Sequence, residues 1–207
     1  MNKTIYFIRH GQTEYNKLGI VQGGGVDSSL NERGQEQAQA FFEFYKDIPF
    51  DLVITSALKR THETVHSFIE KGIPWEQNAK INEMNWGVHE GKKSEPWMRE
   101  AYKEMIDHWK LGNFDARLED GESAKELANR VNQFLEELKN KKADQVLVCS
   151  HGRTMRCLIS LVKGEHLREM EKYNHKNTCL FIVHLKDGLF EVELENDTRH
   201  LESLKNS

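Results

Sequence analysis

The chain has 207 residues and a formal net charge of −4 at pH 7, which favours one α/β domain over residues 1–207 with a good hydrophobic core. Acidic and basic residues are interspersed, which argues against a nucleic-acid-binding protein, and no apolar run approaches the length that a membrane span needs. The three cysteines show no CxxC spacing and no signal peptide precedes the first predicted strand, so we expect reduced thiols in a cytoplasmic protein. A homodimer is compatible with this composition.

Residues 4–8 form a short β-branched and aromatic run that ends in Arg9, His10 and Gly11. An apolar run of this length, bounded by a turn signal, predicts a buried strand. Ligands of open α/β sheets bind beyond the carboxyl ends of the strands. We therefore expect Arg9 and His10 at a ligand site, with Gly11 allowing the backbone to turn close to the ligand.

The loop between residues 12 and 30 contains the glycine run 23–25. Successive backbone amides in such a turn can bind an anion, although glycines alone favour a simple flexible turn. A helix follows over residues 35–45. Its apolar side chains recur at helical spacing and are predicted to belong to the core: Ala38, Phe41, Phe42 and Tyr45.

A second buried strand is predicted over residues 51–55 and leads into a helix over residues 57–70, with Arg60 in its first turn. Residues 62–66 of this helix match the H-E-x-x-H pattern of zinc peptidases. Zinc would need a third ligand, and no further histidine or carboxylate follows at the expected spacing. The two histidines also lie on a different face of the helix from Arg60. We therefore favour solvated helix histidines and no metal site.

Residues 80–84 form a short mixed run that we interpret as an edge strand. Considered without its sequence context, Glu83 would be predicted to be an exposed carboxylate. The following segment, residues 86–120, holds three of the four tryptophans. It predicts a helix over residues 95–110 with Pro96 near its start. We expect this segment to be a small helical insertion that caps the strand ends. Its aromatic side chains would form a satellite core or contact a substrate.

The remaining chain predicts two further structural elements. Ser123 and Glu126 have the spacing of a capping box and introduce a helix. Its expected apolar face consists of Leu127, Val131, Phe134, Leu135 and Leu138. Residues 177–185 and 189–194 are predicted to form a closing hairpin, because the turn signal Lys186-Asp187-Gly188 joins two apolar runs.

A third buried strand, residues 145–149, ends in Ser150, His151 and Gly152. A helix N-terminus follows and could bind an anion. Arg153 at this position would contact substrate or form a surface salt bridge.

Three predicted strands thus lead directly to His or Arg at one sheet edge, and these residue types are rarely buried without partners. Arginine presents a planar fork of donors that suits phosphate. A neutral imidazole between two such forks can attack phosphorus, since the hydrogen bond of one ring nitrogen fixes the other. This chemistry also needs an acid to protonate the leaving oxygen.

Four sequence blocks resemble the histidine phosphatase superfamily, also called the phosphoglycerate mutase-like family. They occur in the family's order and span residues 4 to about 160 of the chain. The blocks are Arg9-His10-Gly11 with Thr13 and Asn16; Ser56-x-Leu58-x-Arg60-Thr61-x-x-Thr64; Glu83-x-x-x-Gly87-x-x-Glu90-Gly91; and Ser150-His151-Gly152.

The resemblance implies a role for each matching residue. His10 would be the phosphorylated nucleophile and Glu83 the proton donor, while Arg9, Arg60 and His151 would hold the phosphoryl group. Four further residues are expected to bind substrate: Asn16, Gln22, Gly23 and Thr154. The glycine run departs from the family's usual loop, which often has one glycine and a later proline.

The resemblance further implies a three-layer α/β/α sandwich with a mostly parallel sheet. The expected activity is hydrolysis of a small phosphorylated metabolite through a phosphohistidine, without metal or cofactor. A phosphoglycerate mutase-type phosphotransferase and a non-catalytic phospho-ligand binding module are the alternatives. Glu83 is followed by Met84-Asn85-Trp86-Gly87 and not by the mutases' Arg-His-Tyr stretch, which favours the phosphatase.

Overall fold

A computed structural model describes residues 2–205 of the chain, so residues 1, 206 and 207 of the predicted domain lie outside it. The described chain forms a six-stranded sheet with the order β3-β2-β4-β1-β5-β6. The strands are β1 (Lys3–Arg9), β2 (Leu52–Thr55), β3 (Trp75–Gln77), β4 (Gln145–Ser150), β5 (Leu180–Lys186) and β6 (Leu189–Asp197). The first four strands in the order are parallel, β5 pairs antiparallel with β1, and β6 pairs antiparallel with β5, so only β5 runs in the opposite direction. The predicted mostly parallel sheet is confirmed.

Helices cover both faces of this sheet. The α-helices are α1 (Glu14–Leu18), α2 (Glu32–Tyr45), α3 (Lys59–Glu70), α4 (Pro96–Lys110), α5 (Ala124–Asn140) and α6 (Gly152–Val162). Short 3-10 turns cover Ala79–Ile81, Gly87–His89, Leu167–Lys172 and Arg199–Lys205. No helix in residues 2–205 is both long enough and apolar enough to cross a membrane.

Alternation along the central strands creates two hydrophobic cores. Ile5 and Phe7 of β1 belong to the core shared with α5 and α6. Tyr6 and Ile8 belong to the core shared with α2 and α3. Since successive strand residues face opposite sides of a sheet, one apolar run fills both cores. This is the predicted three-layer α/β/α sandwich.

Several local signals in the sequence produce the expected elements. Ser123 and Glu126 form the predicted capping box at the start of α5. The hairpin turns through Asp187 and Gly188, both of which have positive φ. The three cysteine side chains are buried and free, as expected for reduced thiols: Cys149, Cys157 and Cys179.

The edge strand predicted over residues 80–84 is wrong. The outer strand is instead β3, and Ala79–Ile81 forms a 3-10 turn whose start is capped by the Asn78 side chain. Ile81 is fully buried in the core that includes α5, which draws the chain away from the sheet. Glu83 consequently lies in a loop and is only 8% exposed.

Candidate active site

The structure brings the carboxyl ends of β1, β2 and β4 to one edge of the sheet. In the register, Arg9 pairs with Ser150, and Thr55 pairs with Cys149. The chain segments that follow the three strands are therefore neighbours. This places His10 and His151 side by side, with ring centroids 5.2 Å apart.

His10 is buried and has one defined neutral form. Its Nδ1 lies 2.7 Å from the carbonyl oxygen of Gly11, and a carbonyl can only accept, so Nδ1 carries the proton. The lone pair is then on Nε2. Burial, followed by the charges of Arg60 and Arg9, lowers the pKa of His10 well below its usual value. His10 is thus a neutral imidazole with a free Nε2, which is the form a nucleophile requires.

Gly11 is required by a close approach of two backbone segments. A Cβ at this position would lie 2.7 Å from the carbonyl oxygen of Gly34 in α2. The Gly11 amide donates to Thr64 Oγ1 of α3 at 2.9 Å. Two helices therefore fix the turn that carries His10.

Arg60 lies in the first turn of α3 and is fully buried. Its Nη1 and Nη2 donate to the carbonyl oxygens of Val26 and Gly23, at 2.6 and 3.3 Å. Its Nε donates to His151 Nδ1 at 3.1 Å. Burial lowers the pKa of Arg60 to about 10, so the guanidinium stays charged at neutral pH.

His151 follows β4 and is also fully buried. Because Arg60 Nε donates to Nδ1, the ring proton lies on Nε2, which is 2.7 Å from Ser56 Oγ. Burial, followed by the charge of Arg60, lowers the pKa of His151 well below its usual value. Ser56 and Arg60 together orient this ring beside His10.

Arg9 is the second guanidinium of the site. Together with Arg60, His10 and His151 it forms what we call the cationic group. Its Nη1 lies 3.2 Å from His175 Nδ1 and 3.4 Å from the His175 carbonyl oxygen. Its Nε is buried and has no hydrogen-bond partner in residues 2–205. Burial lowers the pKa of Arg9. A buried donor of this kind is available to an anionic ligand.

Glu83 lies at the N-terminus of α6. Its Oε2 accepts from the Arg153 amide at 3.1 Å, and its Oε1 accepts from the Thr154 amide and the Met84 amide at 3.1 and 2.9 Å. Its charge acts on both Arg9 and Arg60, whose pKa values it raises against the larger effect of burial. The carboxyl group is therefore fixed close to the cationic group.

Thr154 supports Glu83. Its hydroxyl lies 2.8 Å from the Asn82 carbonyl oxygen and 3.2 Å from Glu83 Oε1, and the residue is fully buried. The structure thus gives the predicted substrate-binding threonine a positioning contact to the carboxyl group.

Asn16 and Gln22 both face this region with a free amide group. Asn16 Oδ1 accepts from the Thr13 amide and from Asn177 Nδ2. Gln22 Oε1 accepts from the hydroxyls of Thr13 and Ser28. In residues 2–205 no acceptor contacts the amide NH2 groups of Asn16 and Gln22, so both remain available as donors.

The glycine run is held by the loop that carries Glu83. The amides of Gly24 and Gly25 donate to the Met84 carbonyl and to Glu90 Oε2, at 3.2 and 2.9 Å, so neither is available to an anion. A Cβ at Gly23 would lie 2.0 Å from Glu90 Oε1 and 2.6 Å from the Met84 carbonyl oxygen. Close packing against the loop that carries Glu83 therefore explains these glycines. Of the three amides in the run, only that of Gly23 has no acceptor within the described residues.

Arg153 is buried and does not form the expected surface salt bridge. It is 6% exposed and forms an ion pair with Glu171. Its guanidinium also lies over the rings of Trp86 and Trp109, at 5.6 and 5.5 Å, and contacts the Tyr102 hydroxyl. These aromatic residues belong to the 86–120 segment, so Arg153 packs that segment against α6 beside Glu83.

The H-E-x-x-H residues lie away from the cationic group. His62 and His66 have ring centroids 5.2 Å apart, and His62 packs on Trp75. Glu63 accepts from the Leu30 amide at 2.7 Å. No group of three His, Cys, Asp or Glu residues suited to a metal occurs in the described part of the chain. The H-E-x-x-H pattern therefore reflects side chains that pack on the outer face of α3.

The sequence did not predict His175 and Asn177 as residues of the site. Asn177 Nδ2 donates to the His10 carbonyl oxygen at 3.0 Å, and His175 contacts Arg9. Both precede β5; Asn177 begins the run predicted as the hairpin, whereas His175 lies outside every predicted element. No local pattern marks them, because their contacts join residues more than 160 positions apart.

Comparisons with known proteins show the family of this chain. The family model described as "Histidine phosphatase superfamily (branch 1)" matches residues 5–198. The protein named "Putative phosphoserine phosphatase 2" from Hydrogenobacter thermophilus is 29% identical over 186 residues, which cover 89% of this chain and 90% of that protein. "Probable phosphoglycerate mutase GpmB" from Escherichia coli O1:K1 / APEC is 28% identical and covers 96% of this chain and 95% of its own length.

A solved structure also superposes over nearly the whole chain. The α-ribazole phosphatase from Shigella flexneri gives a TM-score of 0.82 at 25% identity, covering 94% of this chain and 96% of that one. The family match spans all four sequence blocks and the entire cationic group. The chain therefore belongs to branch 1 of the histidine phosphatase superfamily.

Proposed function

We propose that this protein is a phosphomonoester hydrolase that acts through a phosphohistidine on a small phosphorylated metabolite. The observation that carries the proposal is the state of His10. Its Nδ1–H is held by the Gly11 carbonyl, and its free Nε2 lies in a group that also contains Arg9, Arg60 and His151. A neutral nucleophile beside two guanidinium groups is suited to attack a phosphate ester.

In the first step, the lone pair of His10 Nε2 attacks phosphorus and the bond from phosphorus to the leaving oxygen breaks. Arg9 and Arg60 stabilise the charge on the equatorial oxygens, and His151 would join them by turning its Nε2–H from Ser56 to a phosphoryl oxygen. Glu83 enters this step as the protonated acid, beside the negative charge of the bound ester, and gives its proton to the leaving oxygen, so the products are an alcohol, a Glu83 carboxylate and phospho-His10.

In the second step, Glu83 removes a proton from a water molecule whose oxygen attacks phosphorus. The bond from phosphorus to His10 Nε2 breaks, which releases inorganic phosphate and restores the neutral imidazole and the protonated carboxyl. The contacts of Glu83 to the amides of Met84, Arg153 and Thr154 keep it in place for both proton transfers.

We further propose that the 86–120 segment caps the site and contacts the non-phosphate part of the substrate. A cavity of about 410 Å³ lies between this segment and the loop before Gln22. It is lined by Val21, Trp86, His89, Ser94, Met98, Arg99, Tyr102 and Leu118. Trp86 and Tyr102 also contact Arg153, whose amide binds Glu83, so the cavity is close to the expected leaving-group position.

A mutase-type transfer is the second candidate, because some relatives carry a mutase name. The residues after Glu83 argue against it. Met84 is fully buried, and Trp86 packs on Arg153, so these positions serve packing in place of an Arg-His-Tyr stretch. Dependence of phosphoglycerate turnover on a bisphosphate would favour the mutase.

The direct test is hydrolysis of p-nitrophenyl phosphate by wild type and His10→Ala, with vanadate and with EDTA. We expect activity that requires His10, falls with vanadate and ignores EDTA. Activity that survives loss of His10 and is abolished by EDTA would contradict the proposal. Phosphoserine, α-ribazole phosphate and 3-phosphoglycerate are suitable first substrates, given the names of the relatives. The three free buried thiols support a cytoplasmic location, which we propose with this function.

A further inference from the structure

His175 lies against the cationic group from a segment outside the four sequence blocks. Its ring packs on Gly152, where a Cβ would lie 2.8 Å from His175 Cε1 and 3.6 Å from Arg9 Nε. Only glycine fits at position 152 while this ring stays in place. The glycine after His151 is therefore explained by the neighbouring His175 ring.

Two arginines contact the two ring nitrogens of His175. Arg156 Nε donates to Nε2 at 3.2 Å, and Arg9 Nη1 lies 3.2 Å from Nδ1. Burial, followed by the charges of Arg9 and Arg156, lowers the pKa of His175 to about 3. The ring is consequently neutral at physiological pH and has one donor and one acceptor.

One of these two contacts must therefore join two donors. With Nε2 accepting from Arg156, the proton lies on Nδ1 and faces the N–H groups of Arg9. The opposite tautomer moves this conflict to the Arg156 side. The Arg9 side also contains the buried Nε that has no partner in residues 2–205. One anionic oxygen on that side would accept from several of these donors, which favours the tautomer with Nδ1–H.

We propose that the Nδ1–H of His175 donates a hydrogen bond to a phosphoryl oxygen of the bound ester, beside the guanidinium of Arg9. This rests on the proposed phosphatase function. His175 would then be a substrate-binding residue, supplying a neutral donor next to the charged ones. Its contact with Arg156 fixes the ring so that the donor faces Arg9.

The test measures the dissociation constant for inorganic phosphate by calorimetry, with KM and kcat for p-nitrophenyl phosphate. His175→Ala should weaken phosphate binding about 10- to 100-fold, as expected for a lost hydrogen bond to a charged acceptor. His175→Asn keeps an N–H near the Nδ1 position and should recover most of this loss. His175→Gln keeps a polar group near Nε2 only and should resemble His175→Ala.

Circular dichroism would establish that each variant is folded. If the Ala variant unfolds, comparing the phosphate affinities of the Asn and Gln variants still tests the proposal. Equal recovery by Gln and Asn, or unchanged phosphate affinity in the Ala variant, would overturn the proposal while leaving the phosphatase function intact. A wild type that binds phosphate through His175 without hydrolysing esters would refute only the function. A wild type that binds no phosphate would overturn both.

Discussion

Around the expected phosphoryl position, side chains lie at strand ends or in the first turn of the helix that follows a strand, whereas the expected acid beside the leaving group lies in a loop. His10 and His151 are held by β1 and β4, and Arg60 by the first turn of α3. Glu83 lies in a loop that depends on the glycine run, on α6 and on the 86–120 segment. Strand ends fix positions through the sheet register, while the loop side is fixed by packing between distant segments.

This difference explains which parts of the site can be predicted from sequence. The runs before His10 and His151 predict strands by themselves, and parallel strands place their carboxyl ends together. The capping box of α5 is equally local. The 80–84 segment was mispredicted because Ile81 is drawn into the core with α5, which is a tertiary effect. His175 and the contacts of Arg153 also depend on packing between segments far apart in the chain.

The phosphoryl side of the site is tested at Arg60 by a substitution that keeps the nucleophile. Arg60→Lys keeps a positive charge but loses the planar fork that contacts Gly23, Val26 and His151. We expect kcat to fall about 10²- to 10³-fold, the usual cost of one lost transition-state donor. Lys59→Arg at the neighbouring exposed position is the control. A kcat within about twofold of wild type would show that Arg60 does not stabilise the transferred group.

The leaving-group side is tested by Glu83→Gln. Loss of a general acid costs about 10²- to 10⁴-fold, and the loss should be greatest for alkyl phosphates, whose leaving alkoxides need a proton. The first step with p-nitrophenyl phosphate should be affected much less, because nitrophenolate leaves without protonation. Steady-state and burst kinetics with both esters provide the comparison. Equal slowing of the first step for both esters would contradict the acid role.

The dependence of the loop side on packing is tested by Gly23→Ala. The new Cβ would clash with Glu90 and with the Met84 carbonyl, which displaces the loop carrying Glu83. We expect kcat for alkyl phosphates to fall about 10-fold or more, since small misplacements near the chemistry are costly. Gly164→Ala is the control. It has positive φ but open space, so it should cost about 1 kcal/mol of stability with unchanged kcat.

The smallest expected effect on activity is at Arg153, which fastens the 86–120 segment. Arg153→Ala should lower the free energy of unfolding by about 1–3 kcal/mol, because it removes a buried partner of Glu171 and of the Tyr102 hydroxyl. Urea denaturation measures this change. Lys163→Ala removes an exposed ion pair with Glu195 and should change stability by less than about 1 kcal/mol. Similar losses in both variants would indicate that Arg153 adds no more than a surface ion pair.

The central claim is that His10 Nε2 carries the phosphoryl group between two steps. Mixing the Glu83→Gln variant with p-nitrophenyl phosphate, quenching in alkali and mapping the modified peptide by mass spectrometry tests it most directly. We expect a nitrophenol burst and one phosphate on the peptide that contains His10, and neither in the His10→Ala, Glu83→Gln double variant. A burst with phosphate on His151, or turnover in which no phosphorylated histidine forms, would contradict it.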